Sequence, residues 1–306
     1  KPIENIDIKI AGRFEEFEND SSFDPKISFK YSLSDDITLR ASRSSSFSMP
    51  SMAQMFSSDI NLGSVRDFNG DSPFVRQAQI GNPNLKPATS KNLNIGLIFE
   101  NQKQRLSIDY WNINYKNRIE AQSAQVILNT NPNGSSITRN SSGDLIGVTT
   151  TYFNEESTEV SGVDLNFNRL ISTSDKYGNV SLSINSTTLI EFLTPALSNE
   201  GGEFMIDRVG KFNYDTNTHS LPKNRINAFL NWKYQDYDIN FNSRYIDGYS
   251  NQRPINSLGT LYGYSNSVDS FFVHDLSLKK QLFTNKGELN IKLSIINLFD
   301  ESAPRL

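Results

Sequence analysis

The chain has 306 residues, of which 36% are hydrophobic and 11% aromatic, and its formal net charge is -4. It holds no cysteine and two histidines, which excludes disulfides, thiolate metal sites and most histidine-dependent catalysis. No stretch approaches the roughly 20 consecutive apolar residues that a membrane-spanning helix needs, and the mild acidity excludes the basic footprint of a nucleic-acid-binding protein.

Apolar and polar side chains alternate along the chain, which predicts about eleven β-strands with one apolar and one wet face. The segment Arg225–Tyr234 is the clearest example, because every second residue from Ile226 onward is apolar or aromatic and Phe229 is the single exception on the polar face. In chain order, the predicted strands are Ile6–Phe14, Lys26–Leu33, Ile37–Ser44, Asn92–Phe99, Arg105–Tyr115, Val160–Leu170, Asn179–Ile190, Arg225–Tyr234, Tyr237–Tyr245, Phe272–Leu282 and Glu288–Ile296.

Short polar turns alternate with long connections, and the long ones cover residues 45–91, 116–159, 191–224 and 246–271. Outer-membrane barrels have this asymmetry, with short turns on the periplasmic side and long loops outside. We therefore predict an all-β fold, an antiparallel transmembrane β-barrel. A soluble β-sandwich or propeller is the alternative, but its strands are shorter and its wet faces carry fewer charges. The charges on the polar rows predict a wide lumen that is wet or filled by a polar plug; they are Lys30, Arg40, Asp164, Arg244, Asp275 and Lys292.

Several local segments resemble, in order, motifs of TonB-dependent outer-membrane receptors. Ser45–Phe56 resembles the aromatic, proline-containing segment that follows a barrel strand in these receptors. Gly81–Asn92 resembles their signature GNPxLKPE(T/S), with Ala88 in place of the usual acid. The remaining matches are Asp109–Ile119, Val160–Leu165 and Ile296–Glu301.

This resemblance implies a 22-stranded barrel that a plug domain fills. On that basis we interpret residues 1–306 as part of the receptor β-barrel domain, with about eleven strands forming the second half of the barrel, and with the plug and last strand absent. The N-terminal residues do not have a signal-peptide pattern, so we expect that a leader has been removed or that the chain starts within a longer protein.

The implied function is active uptake of a scarce nutrient across the outer membrane of a Gram-negative bacterium. The implied partners are outer-membrane lipid, the receptor's own plug and remaining barrel strands, TonB with ExbB and ExbD through an N-terminal region outside the chain, and the nutrient. No cofactor, enzymatic activity or nucleic-acid partner is implied. The nutrient class stays open among siderophores, glycans, peptides and cobalamin-like ligands, and haem is disfavoured because its ligation would require His219 and His274.

The long loops carry aromatic faces together with amide and guanidinium donors, which suit sugars, peptides or anionic chelates. Each of these residues is individually more often a solvated or loop-packing residue, so the set indicates a region. The candidate ligand-binding residues are Arg66, Phe68, Arg76, Asn129, Arg139, Tyr152, Phe204, Arg208, Tyr214, Arg253, Tyr262 and Tyr264.

For several other residues we expect a structural role. Aromatic residues near strand ends are expected in interfacial girdles; they are Trp111, Trp232, Tyr234, Tyr237 and Tyr245. Asp215 and His219 lack a third catalytic partner, and neither Asn19-Asp20 nor Asp35-Asp36 is assigned as a calcium site.

Two functional alternatives remain. A passive porin would share the apolar outer face but not the ordered receptor motifs. A barrel hydrolase would need a Ser/His/Asn set at the lipid-facing rim, where His274 is the candidate base.

Overall fold

The computed structural model describes residues 5–17, 21–197, 203–213, 220–251, 265–284 and 287–304. Four candidate ligand residues lie outside these ranges: Tyr214, Arg253, Tyr262 and Tyr264. Asn19, Asp20, Asp215 and His219 lie outside them as well.

The described chain is almost entirely β-structure. In chain order its elements are β1 (Ile6–Glu16), β2 (Ser21–Ser32), β3 (Ile37–Ser48), α1 (Met52–Phe56), β4 (Ser58–Ser64), β5 (Phe74–Ile80), β6 (Ala88–Glu100), β7 (Gln104–Ala121), α2 (Ala124–Thr130), β8 (Ile137–Arg139), β9 (Leu145–Ser174), β10 (Gly178–Leu197), β11 (Glu203–Asp207), β12 (Lys211–Phe212), β13 (Asn224–Tyr234), β14 (Tyr237–Ile246), β15 (Tyr249–Asn251), β16 (Ser267–Val268), β17 (Phe271–Thr284) and β18 (Gly287–Ile295).

Eleven of these strands form one continuous wall. They are hydrogen-bonded in the order β1-β2-β3-β6-β7-β9-β10-β13-β14-β17-β18, and each neighbouring pair is antiparallel. Every predicted strand is present in this wall, which confirms the all-β, partial-barrel fold. Within the described residues, β1 and β18 are the two edges of the sheet, which is not closed.

Two adjacent rows of side chains show why the wall has two different faces. Tyr31, Leu39, Leu97, Ile108 and Leu165 are cross-strand partners on five neighbouring strands. The row one residue away contains Lys30, Arg40, Gly96, Asp109 and Asp164. Because successive side chains of a strand point to opposite faces, one face is apolar and the other is polar.

The apolar face is exposed on the isolated chain, whereas a soluble protein would bury it. Ile10 is 80% exposed, Phe14 63% and Leu293 59%, and all three lie on wall strands. An apolar surface of this extent needs an apolar environment. The soluble alternatives are therefore excluded by the position of the large apolar side chains.

The polar face is held by hydrogen bonds and ion pairs between strands. The hydroxyl of Thr187 donates to Asp164 at 2.7 Å, and Arg244 lies 3.1 Å from the carboxylate of Asp275. These contacts join neighbouring wall strands on the side expected to face the lumen. Four of the predicted inner charges thus have partners on the described chain, namely Arg40, Asp164, Arg244 and Asp275.

Short turns and long connections lie at opposite ends of the wall. The described turns at residues 33–36, 101–103, 175–177 and 235–236 share one end, and the long connections lie at the other. Strand β9 begins 15 residues earlier than predicted, at Leu145 rather than Val160. This extra length packs partly within the long connections, where Leu145 is 4% and Val148 1% exposed, so it lacks the apolar–polar alternation of a strand between lipid and water.

The two largest described connections fold together into a small globular unit. Its sheet has the order β4-β5-β9-β8, with β5 parallel to the first part of β9. Helix α2 contributes Ala124 and Leu128, one turn apart on the same face, to its core. The remaining buried core residues are Val65, Val75, Leu145 and Val148. We call residues 58–80 and 122–151 the loop unit.

Candidate functional site

The loop unit stands at the long-connection end of the wall and contains five of the predicted ligand residues. Arg66 and Phe68 lie between β4 and β5, and Arg76 lies on β5. Asn129 lies on α2, and Arg139 ends β8. These residues are distant in sequence but share one substructure. Their contacts, however, assign them different roles.

Arg139 is engaged by Asp67. Its two terminal nitrogens lie 2.7 and 2.8 Å from the two carboxylate oxygens, and its guanidinium lies 4.9 Å from the centre of the Phe68 ring. The Arg139 hydrogen bonds hold the pKa of Asp67 below its ordinary value although burial acts in the opposite direction, and the same pair raises the pKa of Arg139. The Asp67 side chain is only 3% exposed. The Arg139 guanidinium therefore stabilises the fold of the loop unit and is not free to bind a ligand.

Gln125 links the first loop to α2. Its amide accepts from the Arg66 backbone N–H at 2.8 Å and donates to the Arg66 carbonyl and the Asn129 side chain, each at 2.9 Å. Arg66 and Asn129 are themselves exposed, so both remain available to a ligand. Arg76 is also exposed, but it is the cross-strand partner of Leu62, on the face of β5 opposite α2.

Tyr152 belongs to the base of the loops, where the receptor-like motifs meet. Its carbonyl accepts a hydrogen bond from the Asn82 side chain at 2.9 Å. The backbone N–H of Gly81 donates to Ser57 at 2.7 Å, and that of Asn82 donates to Gln54 at 2.9 Å. The first three residues of the Gly81–Asn92 motif, which we call the GNP segment, are thereby fixed against helix α1. These motif residues therefore anchor the loops to the wall.

A glycine is required where the two motifs touch. A Cβ at Gly81 would lie 2.6 Å from the backbone carbon of Met55 and 2.6 Å from the nitrogen of Phe56. Real Cβ atoms do not approach backbone so closely, which gives a physical reason for glycine in this motif.

The third long connection contains Phe204 and Arg208. Phe204, on β11, is 50% exposed and remains a candidate contact. Arg208 is 1% exposed, and its Nε donates to the Thr194 hydroxyl at 2.9 Å. The prediction that Arg208 meets a ligand is not supported by this burial, because a ligand at the surface cannot reach it.

Sequence reasoning missed a polar cleft of about 260 Å³ in the loop unit. Gln77 and Gln79 lie two residues apart on one face of β5, which is the signal that could have indicated it. The cleft is lined by Asn61, Ser64, Val65, Gln77, Gln79, Gln122, Ser123, Ala124, Gln125 and Thr150.

Trp111 does not lie in the expected girdle. It is the cross-strand partner of Asn94 and Gly162 on the polar face, and its ring covers Gly162, where a Cβ would lie 2.5 Å from Cζ2. The girdle prediction for Trp111 is wrong, because the alternation around it includes aromatic and polar residues on both faces and does not indicate its orientation. The other girdle residues, Trp232, Tyr234, Tyr237 and Tyr245, do lie at strand ends.

His274 lies on the apolar face in a cage of aromatic rings. Its ring centre is 4.2 Å from that of Phe272, 5.2 Å from Phe299 and 5.3 Å from Phe241. Its Nδ1 is 2.9 Å from the hydroxyl of Ser243, and the backbone N–H of Leu298 donates to the His274 carbonyl at 2.7 Å. These contacts give the imidazole a packing role that also fixes the last receptor-like motif to β17.

Among the described residues, no cluster of three or more His, Cys, Asp or Glu side chains has the arrangement to hold a metal ion. In the same part of the chain, every helix is too short or too polar to cross a membrane.

The sequence matches a family model described as TonB-dependent receptor-like, beta-barrel, over residues 2–298. No curated protein matches the chain.

Solved structures share its fold. The siderophore receptor PirA from Acinetobacter baumannii superposes with a TM-score of 0.64 at 17% identity, over 98% of this chain and 40% of that one. A variant of the ferric enterobactin receptor PfeA from Pseudomonas aeruginosa, in complex with enterobactin, gives 0.65 at 16% identity, over 98% and 38%. The copper transporter OprC gives 0.56 at 14% identity, over 93% and 34%. The chain thus spans about two fifths of the first two proteins, and at these identities the likeness establishes the fold alone.

Proposed function

Because the chain belongs to the TonB-dependent receptor-like β-barrel family, we propose that it forms the wall and external loops of an outer-membrane receptor that imports a nutrient with TonB-coupled energy. The family and the structural neighbours are transport receptors rather than enzymes. In this proposal the loops capture the nutrient, a plug domain blocks the lumen, and TonB with ExbB and ExbD supplies the energy for release inward.

The observation that carries the proposal is the two-faced wall. Its exposed apolar rows suit lipid, and its opposite face is polar and bridged by ion pairs between strands. A lumen lined in this way suits contact with water or with a polar plug. The globular loop unit at the end with long connections supplies a structured surface for capture.

A passive porin is the competing function. It would use the same apolar face, but its transport would not depend on metabolic energy. The family match over nearly the whole chain favours the receptor over the porin.

The test uses the complete receptor in its native host. Cells with and without the receptor gene are compared for uptake of ferric siderophores, cobalamin, peptides and oligosaccharides, each labelled. We expect one class to be taken up only when the receptor is present, and uptake to stop when the proton gradient is collapsed or when TonB is deleted. Receptor-dependent uptake that continues under both conditions would establish passive transport instead.

A further inference from the structure

The polar cleft of the loop unit has an unusual lining. Eight of its ten residues carry an amide or a hydroxyl group, and the other two are Val65 and Ala124. The described residues that line the cleft include no charged side chain and no aromatic side chain. Anionic ligands are generally bound by guanidinium or ammonium groups, so this lining does not suit an anionic chelate.

Amides and hydroxyls suit a different chemistry. A carboxamide offers an acceptor oxygen and two N–H donors, and a hydroxyl both donates and accepts. The hydroxyls of a sugar have the same double character, so neighbouring amides can each pair with them without leaving a charge unpaired. The volume of about 260 Å³ lies just below the range usual for drug-sized ligands, which fits one sugar ring of a longer chain.

The cleft is also held in place by contacts of the folded chain. Gln122 is fixed to Thr151 by two hydrogen bonds, because its backbone N–H donates to the Thr151 carbonyl at 2.9 Å and its Oε1 accepts from the Thr151 N–H at 3.1 Å. In the Gln122 side chain, the N–H donors of Nε2 are left to bind a ligand. Gln125 is fixed in a similar way by the Arg66 backbone. Amides that are already oriented lose little conformational entropy when a ligand binds.

One residue of the cleft lining has a side-chain donor without a partner among the described residues. Oε1 of Gln79 accepts from the Thr150 hydroxyl at 3.2 Å. Its Nε2 is buried and has no hydrogen-bond partner among the described residues. Buried polar groups in folded proteins are nearly always paired, and a small outward turn of the Gln79 side chain would bring this donor to an acceptor oxygen in the cleft.

From this lining we infer that the cleft between β4–β5 and α2 binds an uncharged, hydroxyl-rich saccharide. The inference deepens the proposed function, on which it rests, by assigning the imported or captured ligand to the neutral glycans rather than to anionic chelates. Recognition occurs through hydrogen bonds from Gln77, Gln79 and Gln122.

Substitution of Gly63 by alanine would disturb the cleft at a single side chain. A Cβ there would lie 2.6 Å from Nε2 of Gln77, which is the far end of a flexible side chain. Gly63→Ala therefore displaces the Gln77 amide while the backbone stays in place. Gly147→Ala is a matched control, because its Cβ would meet its nearest atoms, the Arg76 carbonyl oxygen and Thr138 Cβ, at 3.4 and 3.5 Å.

The experiment measures binding to the intact receptor in detergent by saturation-transfer NMR and calorimetry. The probes are neutral hexasaccharides of glucose, mannose and xylose, with hexagalacturonate and ferric enterobactin as anionic comparisons. We expect at least one neutral hexasaccharide to bind and its affinity to fall about tenfold in Gly63→Ala and in Gln77→Ala, as for the loss of one or two hydrogen bonds. Gly147→Ala should bind as the unaltered receptor does.

Two results would overturn the inference. One is the failure of every neutral hexasaccharide to bind, whether or not an anionic probe does. The other is binding that Gly63→Ala and Gln77→Ala leave unchanged. Either result leaves the import proposal intact, because energy-dependent uptake is measured separately with the proton gradient and TonB.

Discussion

Arg40 on β3 and Asp109 on β7 form a bidentate ion pair that crosses the strand between them. Nε of Arg40 lies 2.8 Å from one carboxylate oxygen, and a terminal nitrogen lies 2.5 Å from the other. The intervening residue is Gly96 of β6, the cross-strand partner of both. The pair closes over β6 because Gly96 has no side chain.

We expect Gly96→Ala to break this ion pair. Its Cβ would lie 1.9 Å from the Asp109 Oδ1 and 3.0 Å from Nε of Arg40, so both side chains must move. Overpacking of this kind costs about 1–3 kcal/mol. The measurement is the midpoint temperature of thermal unfolding of the intact receptor, which is detected by the change in its electrophoretic mobility. Ser42→Ala, on the same face of β3, is the control and should change the midpoint little.

A double-mutant cycle separates the clash from the lost pair. If Asp109→Ala removes the group that the new Cβ meets, the Gly96→Ala and Asp109→Ala effects should sum to more than the effect of the double variant. Additive effects would show that the destabilisation arises elsewhere on β6.

The wall could be predicted almost completely from the sequence, for a physical reason that this ion pair illustrates. A wall strand between lipid and water must alternate, so Leu39 and Arg40 on one strand already identify its two faces. The pairing of Arg40 with Asp109 could not be predicted, because it depends on the register of three strands and on the space above Gly96.

The loop unit could not be predicted in the same way. Its buried residues come from short segments far apart in the sequence, and each segment supplies only one or two of them, such as Val75 from β5 and Leu128 from α2. Strands this short contain too few residues to establish a period. The candidate set consequently included Arg139 and Arg208, whose side chains serve the fold, and omitted the amides of the cleft.

The Asp67–Arg139 pair should make the loop unit sensitive to acid. The pKa of Asp67 is held below its ordinary value of about 3.9 chiefly by hydrogen bonds from Arg139. A carboxylate with a depressed pKa stabilises the folded state above its ordinary value and loses this contribution as the pH falls through the folded value. We expect protease cleavage within residues 58–80 to accelerate several-fold below about pH 4.

The variant Asp67→Asn isolates that effect. It should raise cleavage at neutral pH, because Arg139 loses its charged partner, and it should flatten the acid dependence. The exposed Asp71, which accepts a hydrogen bond from Asn69, supplies the control variant Asp71→Asn. An acid dependence unchanged in Asp67→Asn would assign the sensitivity to other carboxylates.

Gly81→Ala should loosen the base of the loops. The substituted Cβ would meet the backbone of Met55 and Phe56, which cannot move aside as a flexible side chain can. The expected cost is about 1–3 kcal/mol, centred on α1 and the GNP segment. Hydrogen exchange measures it directly: amides of residues 51–57 and 81–85 should exchange faster, while those of β13 and β14 should not. Gly147→Ala should leave all of these rates unchanged.

The two faces of β6 give a direct test of the wall's environment. Ile95 and Asn94 are adjacent in the middle of this strand; Ile95 is 50% exposed on the apolar face, and Asn94 lies on the polar face with Trp111. An arginine facing lipid near the centre of a bilayer costs about 2–4 kcal/mol, whereas one facing a wet lumen costs little. Ile95→Arg should therefore lower the yield of folded receptor in lipid vesicles, and Asn94→Arg should not. Equal folding of the two variants would mean that the apolar face does not contact lipid, and an Asn94→Arg defect alone would assign the lipid side to the polar rows.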